Sequence, residues 1–375
     1  MKKIAVLGGG QLGRMLIQSA IDFNIEVAIL DPNPHAPCQP FATEFHTGSL
    51  NDFDSVYNFG KQYDLITIEI EQVNTKALQK LSDEGKKVYP QPHIIEMIQD
   101  KRIQKQFYQD NNIPTADFIL TENLAEVKAN ADFLPAVNKI GKGGYDGRGV
   151  QVMRSESDLE KGFDAPGLLE KLVDFEKEIS IIIARNAKGE VNAYPPVELV
   201  FHPEANLVDY LLAPAQVDEA ITKQAIDIAT TLVERLGMVG LLAVEMFVTK
   251  DGKVLVNEIA PRTHNSGHQS IESNITSQFE QQLRAIMDWP LGDTTLVRPS
   301  AMLNLLGAEG HQGTAQCAGM DEVLAISGCH LHLYGKKVTK PFRKMGHITI
   351  CDNDPVQLKE KIDFVKNTIK FISND

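Results

Sequence analysis

An excess of basic charge, paired cysteines and long apolar runs are all missing from this chain. Its 375 residues carry 37 Lys and Arg against 50 Asp and Glu, a formal net charge of −13. A nucleic-acid partner normally needs a basic face, so that class is set aside. A phosphate ligand needs only a local cluster of donors and is not excluded. The four cysteines, Cys38, Cys317, Cys329 and Cys351, form no CxxC pair, which indicates neither a zinc site nor a disulfide framework. A reducing, cytoplasmic setting is expected. No stretch approaches the roughly 18 continuous apolar residues of a membrane span. Met1-Lys2-Lys3 leads straight into a short strand, so no signal peptide is expected. There is no internal repeat and no low-complexity segment. A chain of this length buries more than one core and is expected to divide into two or three domains.

What is present begins with Ile4–Leu7, a short buried strand, then Gly8-Gly9-Gly10-Gln11-Leu12-Gly13. A helical pattern follows through Leu12, Leu16, Ala20 and Phe23, then a strand Val27–Leu30 ending at Asp31. This order is the dinucleotide-binding fingerprint. A dehydrogenase would place NAD in the turn with Asp31 on its ribose, but a phosphorylated substrate satisfies the turn equally. No Lys-Ser/Thr follows Gly13, so it is not a P-loop. Helices over Asn51–Lys61 and Thr75–Gly85, with a strand Leu65–Glu69 between, complete a doubly wound domain. Glu69 and Glu71 lie at that strand's carboxyl end, where open α/β sheets bind ligands.

Asp100–Asn112 reads as a charged helix ended by Ile113-Pro114, and marks the entry to a central domain. Within it Lys105 reads as surface charge. The strand Leu134–Ile140 carries Lys139. It enters Gly141–Gly149, where five residues of nine are glycine, a composition that suits a lid of free N–H groups over phosphates. A strand Leu168–Val173 turns polar, and Phe175–Ala184 is another strand. Apolar periodicity predicts helices over Val217–Leu236 and Asn274–Met287. Strands Met302–Gly307, Leu331–Tyr334 and Ile348–Cys351 and a helix Pro355–Ile372 form a small C-terminal module. Lys336-Lys337 and Arg343-Lys344 are cations grouped in an acidic protein, a pattern that suits a local anion site and a solvated basic loop about equally.

The stretch that organises the rest is Leu242–His268. Asp251-Gly252 predicts a two-residue hairpin turn, with Lys250 facing Lys253. Counted back along both strands, Glu245 then faces Glu258, with Cβ atoms roughly 4.5–5.5 Å apart. A hard divalent cation removes the repulsion, and Mg²⁺ held by two carboxylates and substrate phosphates points to ATP. Without the cation, loss of the Glu258 charge is expected to stabilise the protein. Strict alternation sends Asn257 to the opposite face unless the strand bends. The loop that follows carries Arg262, His264, Asn265, Ser266 and His268 with little apolar filler, as a binding loop does.

NEIAPRTHNSGH at Asn257–His268, with SQFEQQLRAI at Ser277–Ile286, PLG at Pro290–Gly292, GGGQLGRM at Gly8–Met15 and RKMGH at Arg343–His347, resembles the 5-(carboxyamino)imidazole ribonucleotide synthases, ATP-grasp enzymes of purine synthesis. The resemblance implies an α/β fold in three parts. These are a doubly wound (Rossmann-like) N-terminal domain over 1–99, an ATP-grasp domain over 100–295 and a β-rich C-terminal module over 296–375. It implies a homodimer that uses ATP and Mg²⁺ to carboxylate aminoimidazole ribonucleotide with bicarbonate through carboxyphosphate.

For ATP it implies Lys101, Lys139, the loop Gly144, Tyr145, Asp146, Gly147, Arg148 and Gly149, and the base-reading segment Glu170, Lys171, Leu172 and Val173. Glu178 takes the ribose, and His202, Asn257 and Glu258 complete that set. Glu245 and Glu258 hold the metal. Asp146, Arg262 and His264 are the implied catalytic groups. Gln11, Leu12, Glu71, Tyr145, Arg148, His268, Lys336, Arg343 and Lys344 are the implied ribonucleotide contacts. Asn138, Val150 and Leu199 depart from the family's pattern. A formate-using glycinamide ribonucleotide ligase, a dehydrogenase and a non-catalytic nucleotide sensor are the alternatives.

Overall fold

An apolar run such as Ile4–Leu7 suits a strand buried on both faces, and it lies at the centre of the first sheet. The computed structural model describes residues 2–144, 149–201 and 208–374. Strand Lys2–Leu7 pairs in parallel with Ile25–Asp31 on one side and Leu65–Ile68 on the other. Glu44–Thr47 and Lys87–Val88 form the edges. One face packs Ile4 and Val6 against Leu12, Leu16 and Ala20 of helix Gln11–Asp22. The other packs Ala5 and Leu7 with Val56 and Leu78 of helices Phe53–Gly60 and Thr75–Asp83. Strand order reverses between Lys2–Leu7 and Leu65–Ile68. The ligand crevice of such a sheet lies beyond the carboxyl ends at that reversal, where Gly8–Gly10 and Glu69–Glu71 are found.

A second, antiparallel sheet is made of Phe118–Thr121, Gly167–Lys171, Ala136–Ile140 and Val150–Met153. It carries Lys139 and Glu170 on neighbouring strands. Asn138, one of the departures from the family's pattern, has a structural task here. It is 1% exposed, its Nδ2 donates to Leu168 O at 3.1 Å, and its Oδ1 accepts from Phe163 N–H at 2.8 Å. Asn138→Val should therefore cost about 1–3 kcal/mol by leaving a buried N–H and a carbonyl unpaired. Urea unfolding measures this, and a neutral substitution would contradict the assignment.

The largest sheet has nine strands. It runs Val254–Ala260, Gly240–Thr249, Phe175–Arg185, Val197–Phe201, Val208–Ala213, Ser300–Leu306, Lys344–Cys351, Cys329–Leu333, with Val191–Ala193 added beside Phe175–Arg185. The central strands therefore continue into those of the C-terminal region without a break. Helix Glu219–Leu236 packs Ala225, Ala229, Leu232 and Val233 onto Ile181, Ile183, Leu242 and Val244, and Gly237 ends it in the left-handed conformation,.

Two elements differ from the sequence expectation. The last helix stops at Thr368, and Lys370–Ile372 is a strand paired with Gln316–Ala318. Ile369 and Phe371 are buried while Lys370 is exposed, an alternation of period two that competes with the helical pattern. The helix expected from Asn274 starts only at Gln278, where Ser277 caps it by accepting from Glu280 N–H,.

Candidate functional site

The hairpin carries the carboxylates, but by a different route from the one the sequence predicts. Its turn has three residues, Lys250, Asp251 and Gly252. Thr249 N–H donates to Lys253 O, Gly252 N–H donates to Thr249 O, and Gly252 takes φ 77°,. This pairs Val248 with Val254 and Met246 with Val256, one residue out of the expected register. A bulge at Asn257 then restores it, and Glu245 does face Glu258. The bulge also resolves the position of Asn257. Its Oδ1 accepts from Lys139 Nζ at 3.0 Å, so Asn257 and Glu258 both serve the cleft.

Charge in this cleft is tightly interlocked. Lys101, on helix Lys101–Asp110, pairs with Glu258, and Lys139 lies 2.5 Å from Glu170. Burial raises both hairpin carboxyls, but the Lys101 ammonium overrides it at Glu258, which stays well below the usual carboxylate range. Burial and the Glu258 charge together hold Glu245 well above that range. Burial, with the Glu258 charge, also pushes Glu178 up to about 7. A carboxylate pair of which one member resists ionisation is a site that a cation would relieve, so the residues fit Mg²⁺. Among the described residues no group of three or more His, Cys, Asp or Glu could hold a metal. Mg²⁺ needs only one or two carboxylates when phosphates supply the rest. Lys105, read from the sequence as surface charge, is instead 2% exposed and bonded to Glu170.

The polar loop lies against the same strands. Arg262 Nη2 is 2.8 Å from Glu71, which joins the crevice of the first sheet to the hairpin. His264 Nε2 is 3.7 Å from Glu245, and its Nδ1 contacts Ser266 Oγ at 2.8 Å, which meets Ser180 Oγ at 2.7 Å. Burial, aided by Arg262 and Lys344, pushes His264 down to about 3, so it is neutral at physiological pH. His268 lies behind it at 1% exposure, with His347 at 4.6 Å and Phe279 at 5.9 Å between ring centroids. It faces protein, and its Nδ1 meets Gln278 Nε2 at 3.2 Å. Asn265 and Asn304 exchange two amide bonds, fixing the loop to strand Ser300–Leu306.

The glycine turn is already filled by protein carboxylates. Asp31 Oδ2 accepts from Gly9 N–H at 2.7 Å and Oδ1 from Asn33 N–H at 2.8 Å. Asp31 is therefore committed to backbone, which removes the ribose contact the dehydrogenase alternative requires. Glu69 Oε1 accepts from Leu12 N–H at 3.2 Å, and a Cβ on Gly10 would collide with that carboxylate. The glycine thus admits a protein carboxyl group where a phosphate was expected. Lys336 donates to Lys344 O at 2.7 Å and Arg343 to Val338 O at 2.6 Å.

Burial pushes Glu69 up to about 7. A raised carboxyl binds its proton in the folded state first, so its contribution to stability is present at acid pH and fades as pH rises through 7. Glu69→Gln should therefore gain on the wild type by about 1–2 kcal/mol between pH 5 and 8, allowing for partial exposure. Equal pH slopes in chemical denaturation would contradict this.

Other expected contacts are distributed unevenly. The N–H groups of Lys171 and Leu172 are used by Asp117 O and Pro135 O, and Lys171 Nζ donates to Phe133 O. Gly144, Gly149, Val173 and Gln11 fall within the described chain, whereas Tyr145, Asp146, Gly147, Arg148 and His202 lie outside the described residues. Sequence reasoning missed Lys105, Ser180, Gln278 and His347. Lys105 left a signal in its spacing of four from Lys101 on one helical face, and Gln278 and His347 lie within the motif stretches Ser277–Ile286 and Arg343–His347.

Known proteins match along the chain. Residues 1–99 match the ribonucleotide synthetase preATP-grasp domain, 106–279 the ATP-grasp domain, and 300–361 the phosphoribosylaminoimidazole carboxylase C-terminal domain. N5-carboxyaminoimidazole ribonucleotide synthase of Synechococcus elongatus is 38% identical over 93% of this chain and 89% of its own length. The crystal structure of the Thermotoga maritima N5-carboxyaminoimidazole ribonucleotide synthetase is 43% identical. It covers 100% of both chains with a TM-score of 0.93. The Aspergillus clavatus synthase, solved with ADP and 5-aminoimidazole ribonucleotide, is 33% identical with a TM-score of 0.88, over 98% of each chain.

Proposed function

Because the chain belongs to the N5-carboxyaminoimidazole ribonucleotide synthase family, we infer that it is an ATP-dependent ligase of purine synthesis that carboxylates aminoimidazole ribonucleotide. The observation that supports this most directly is the Glu71–Arg262 pair. It joins the crevice suited to a ribonucleotide with the carboxylates and lysines suited to a nucleotide triphosphate. The finer reading is that bicarbonate supplies the carboxyl group, that Mg²⁺ accompanies ATP, and that the enzyme is a cytoplasmic homodimer. Four unpaired cysteines suit a reducing compartment.

In this reading Glu245 and Glu258 hold Mg²⁺, which neutralises phosphate charge when bound. Lys101 and Lys139 give up Glu258 and Glu170 for the phosphates, Glu178 accepts from the ribose, and the backbone of Glu170–Val173, not the Glu170 side chain, meets the base. Arg262 and Lys344 hold the bicarbonate anion. Neutral His264 orients the anion by a hydrogen bond while its charged oxygen attacks the γ-phosphorus, breaking the bond to ADP and giving carboxyphosphate. The ribonucleotide's amine then takes the carboxyl group and its proton leaves with the phosphate, the step to which the resemblance assigns Asp146. Gln11 faces the ribonucleotide, Lys336 and Arg343 turn to it from the Lys344 and Val338 carbonyls, Leu12 backs the turn with its N–H on Glu69, and His268 supports His264 from behind. Phosphoryl transfer of this kind asks mainly for position and charge.

The test is carbon-13 NMR of the product made from aminoimidazole ribonucleotide, Mg-ATP and labelled bicarbonate. A carbamate carbon on the exocyclic nitrogen is expected, and a label found elsewhere or nowhere would refute the reading.

A further inference from the structure

Helix Lys101–Asp110 presents two lysines four residues apart on one side,. Lys101 has a part in the nucleotide site proposed above, but Lys105 has none. Lys105 contacts Thr115 Oγ1 and Glu170 Oε1, and Thr115 Oγ1 in turn donates to Val256 O at 2.7 Å. Glu170 is 3% exposed, and its second oxygen, Oε2, lies 2.5 Å from Lys139 Nζ. One buried carboxylate is thus shared by two lysines, and the trio carries one net positive charge.

That surplus decides what Lys139 can do. A buried carboxylate stripped of its only counter-ion is strongly unfavourable. If Glu170 had Lys139 alone, a phosphate drawing Lys139 away would leave that carboxylate bare. With Lys105 in place, Glu170 keeps a partner and Lys139 can move. We propose that Lys105 is a positioning residue that frees Lys139 for the nucleotide's phosphates by acting as the standing counter-ion of Glu170. This deepens the nucleotide-site reading and rests on it. Burial pulls Lys105 down to about 8, so the device is charged at neutral pH and fails in alkali.

Calorimetric titration of the full-length protein with metal-free ADP tests this. Lys105→Met should weaken binding about 10–100-fold, the range of an ordinary coupling between two groups. Lys105→Met with Glu170→Gln should recover most of that loss, because no carboxylate then retains Lys139. A packing role for Lys105 would give no such recovery. Lys105→Met within twofold of wild type, or a double variant no tighter than the single one, would overturn the proposal.

Should Lys105→Met not fold, wild type and Glu170→Gln decide the matter. Lys101, Lys139, Tyr108 and Glu170 face Lys105, and the ionising Glu245 lowers ADP affinity in both proteins. Between pH 7 and about pH 9.5, wild type should lose more affinity than Glu170→Gln as Lys105 discharges. Equal losses would overturn the proposal. A wild type that binds no ADP would overturn the nucleotide site itself.

Discussion

Glu258→Gln is expected to lower ATP turnover by about 10²–10³-fold or more and to destabilise the metal-free protein. Facing carboxylates on a hairpin suggest the opposite effect on stability, since removing one should relieve repulsion. The pair is not symmetric, however. Lys101 bonds to Glu258, and its side chain is only 19% exposed. Loss of the Glu258 charge strands that cation, whereas Glu245 is the member already resisting ionisation. The Glu258 side chain is 44% exposed, so solvent limits the loss to about 1 kcal/mol. Glu245→Gln should leave the metal-free protein as stable as wild type or more so, while also losing turnover. Thermal unfolding in chelator separates the two. A metal-free Glu258→Gln more stable than wild type would mean that repulsion, not the Lys101 pair, dominates there.

Arg262→Met should reduce carboxylation about 10²–10³-fold with little change in ATP affinity. Its guanidinium is the link between Glu71 and the loop that carries His264. A lysine substitute supplies charge but not the planar fork, so Arg262→Lys should recover only part of the loss. Initial rates against bicarbonate, with nucleotide affinity measured separately, check this. Equal losses in ATP binding and in turnover would assign Arg262 to the nucleotide instead.

How much of this was legible in the sequence depended on whether one element or several carry the information. The parallel sheet followed from apolar runs, and the glycine turn from its spacing. The Glu245–Glu258 pairing came from counting along one hairpin. It held because two departures cancel, a three-residue turn and the bulge at Asn257. Neither departure is visible in composition, although the demand that Asn257 reach the cleft already required a bend.

Lys105 was not legible, because its environment is set by Glu170 on a strand sixty-five residues away. The filling of the glycine turn by Glu69 and Asp31 depends on the ends of two further strands in the same way. The short helix at Ser270–Ser273 and the late start at Gln278 reflect Ser270 and Gln278 being buried and bonded to loop backbone. Tertiary bonding of that kind outweighs a periodic pattern.

The central claim is that ATP cleavage here is coupled to carboxylation of a ribonucleotide. The measurement that tests it most directly is phosphate release in CO₂-depleted buffer, with ribonucleotide and one-carbon donor added separately and fixed carbon counted in parallel. The account predicts release that requires aminoimidazole ribonucleotide and bicarbonate together, one phosphate for each carbon fixed. Release driven by glycinamide ribonucleotide and formate, or release that proceeds without any ribonucleotide, would contradict it.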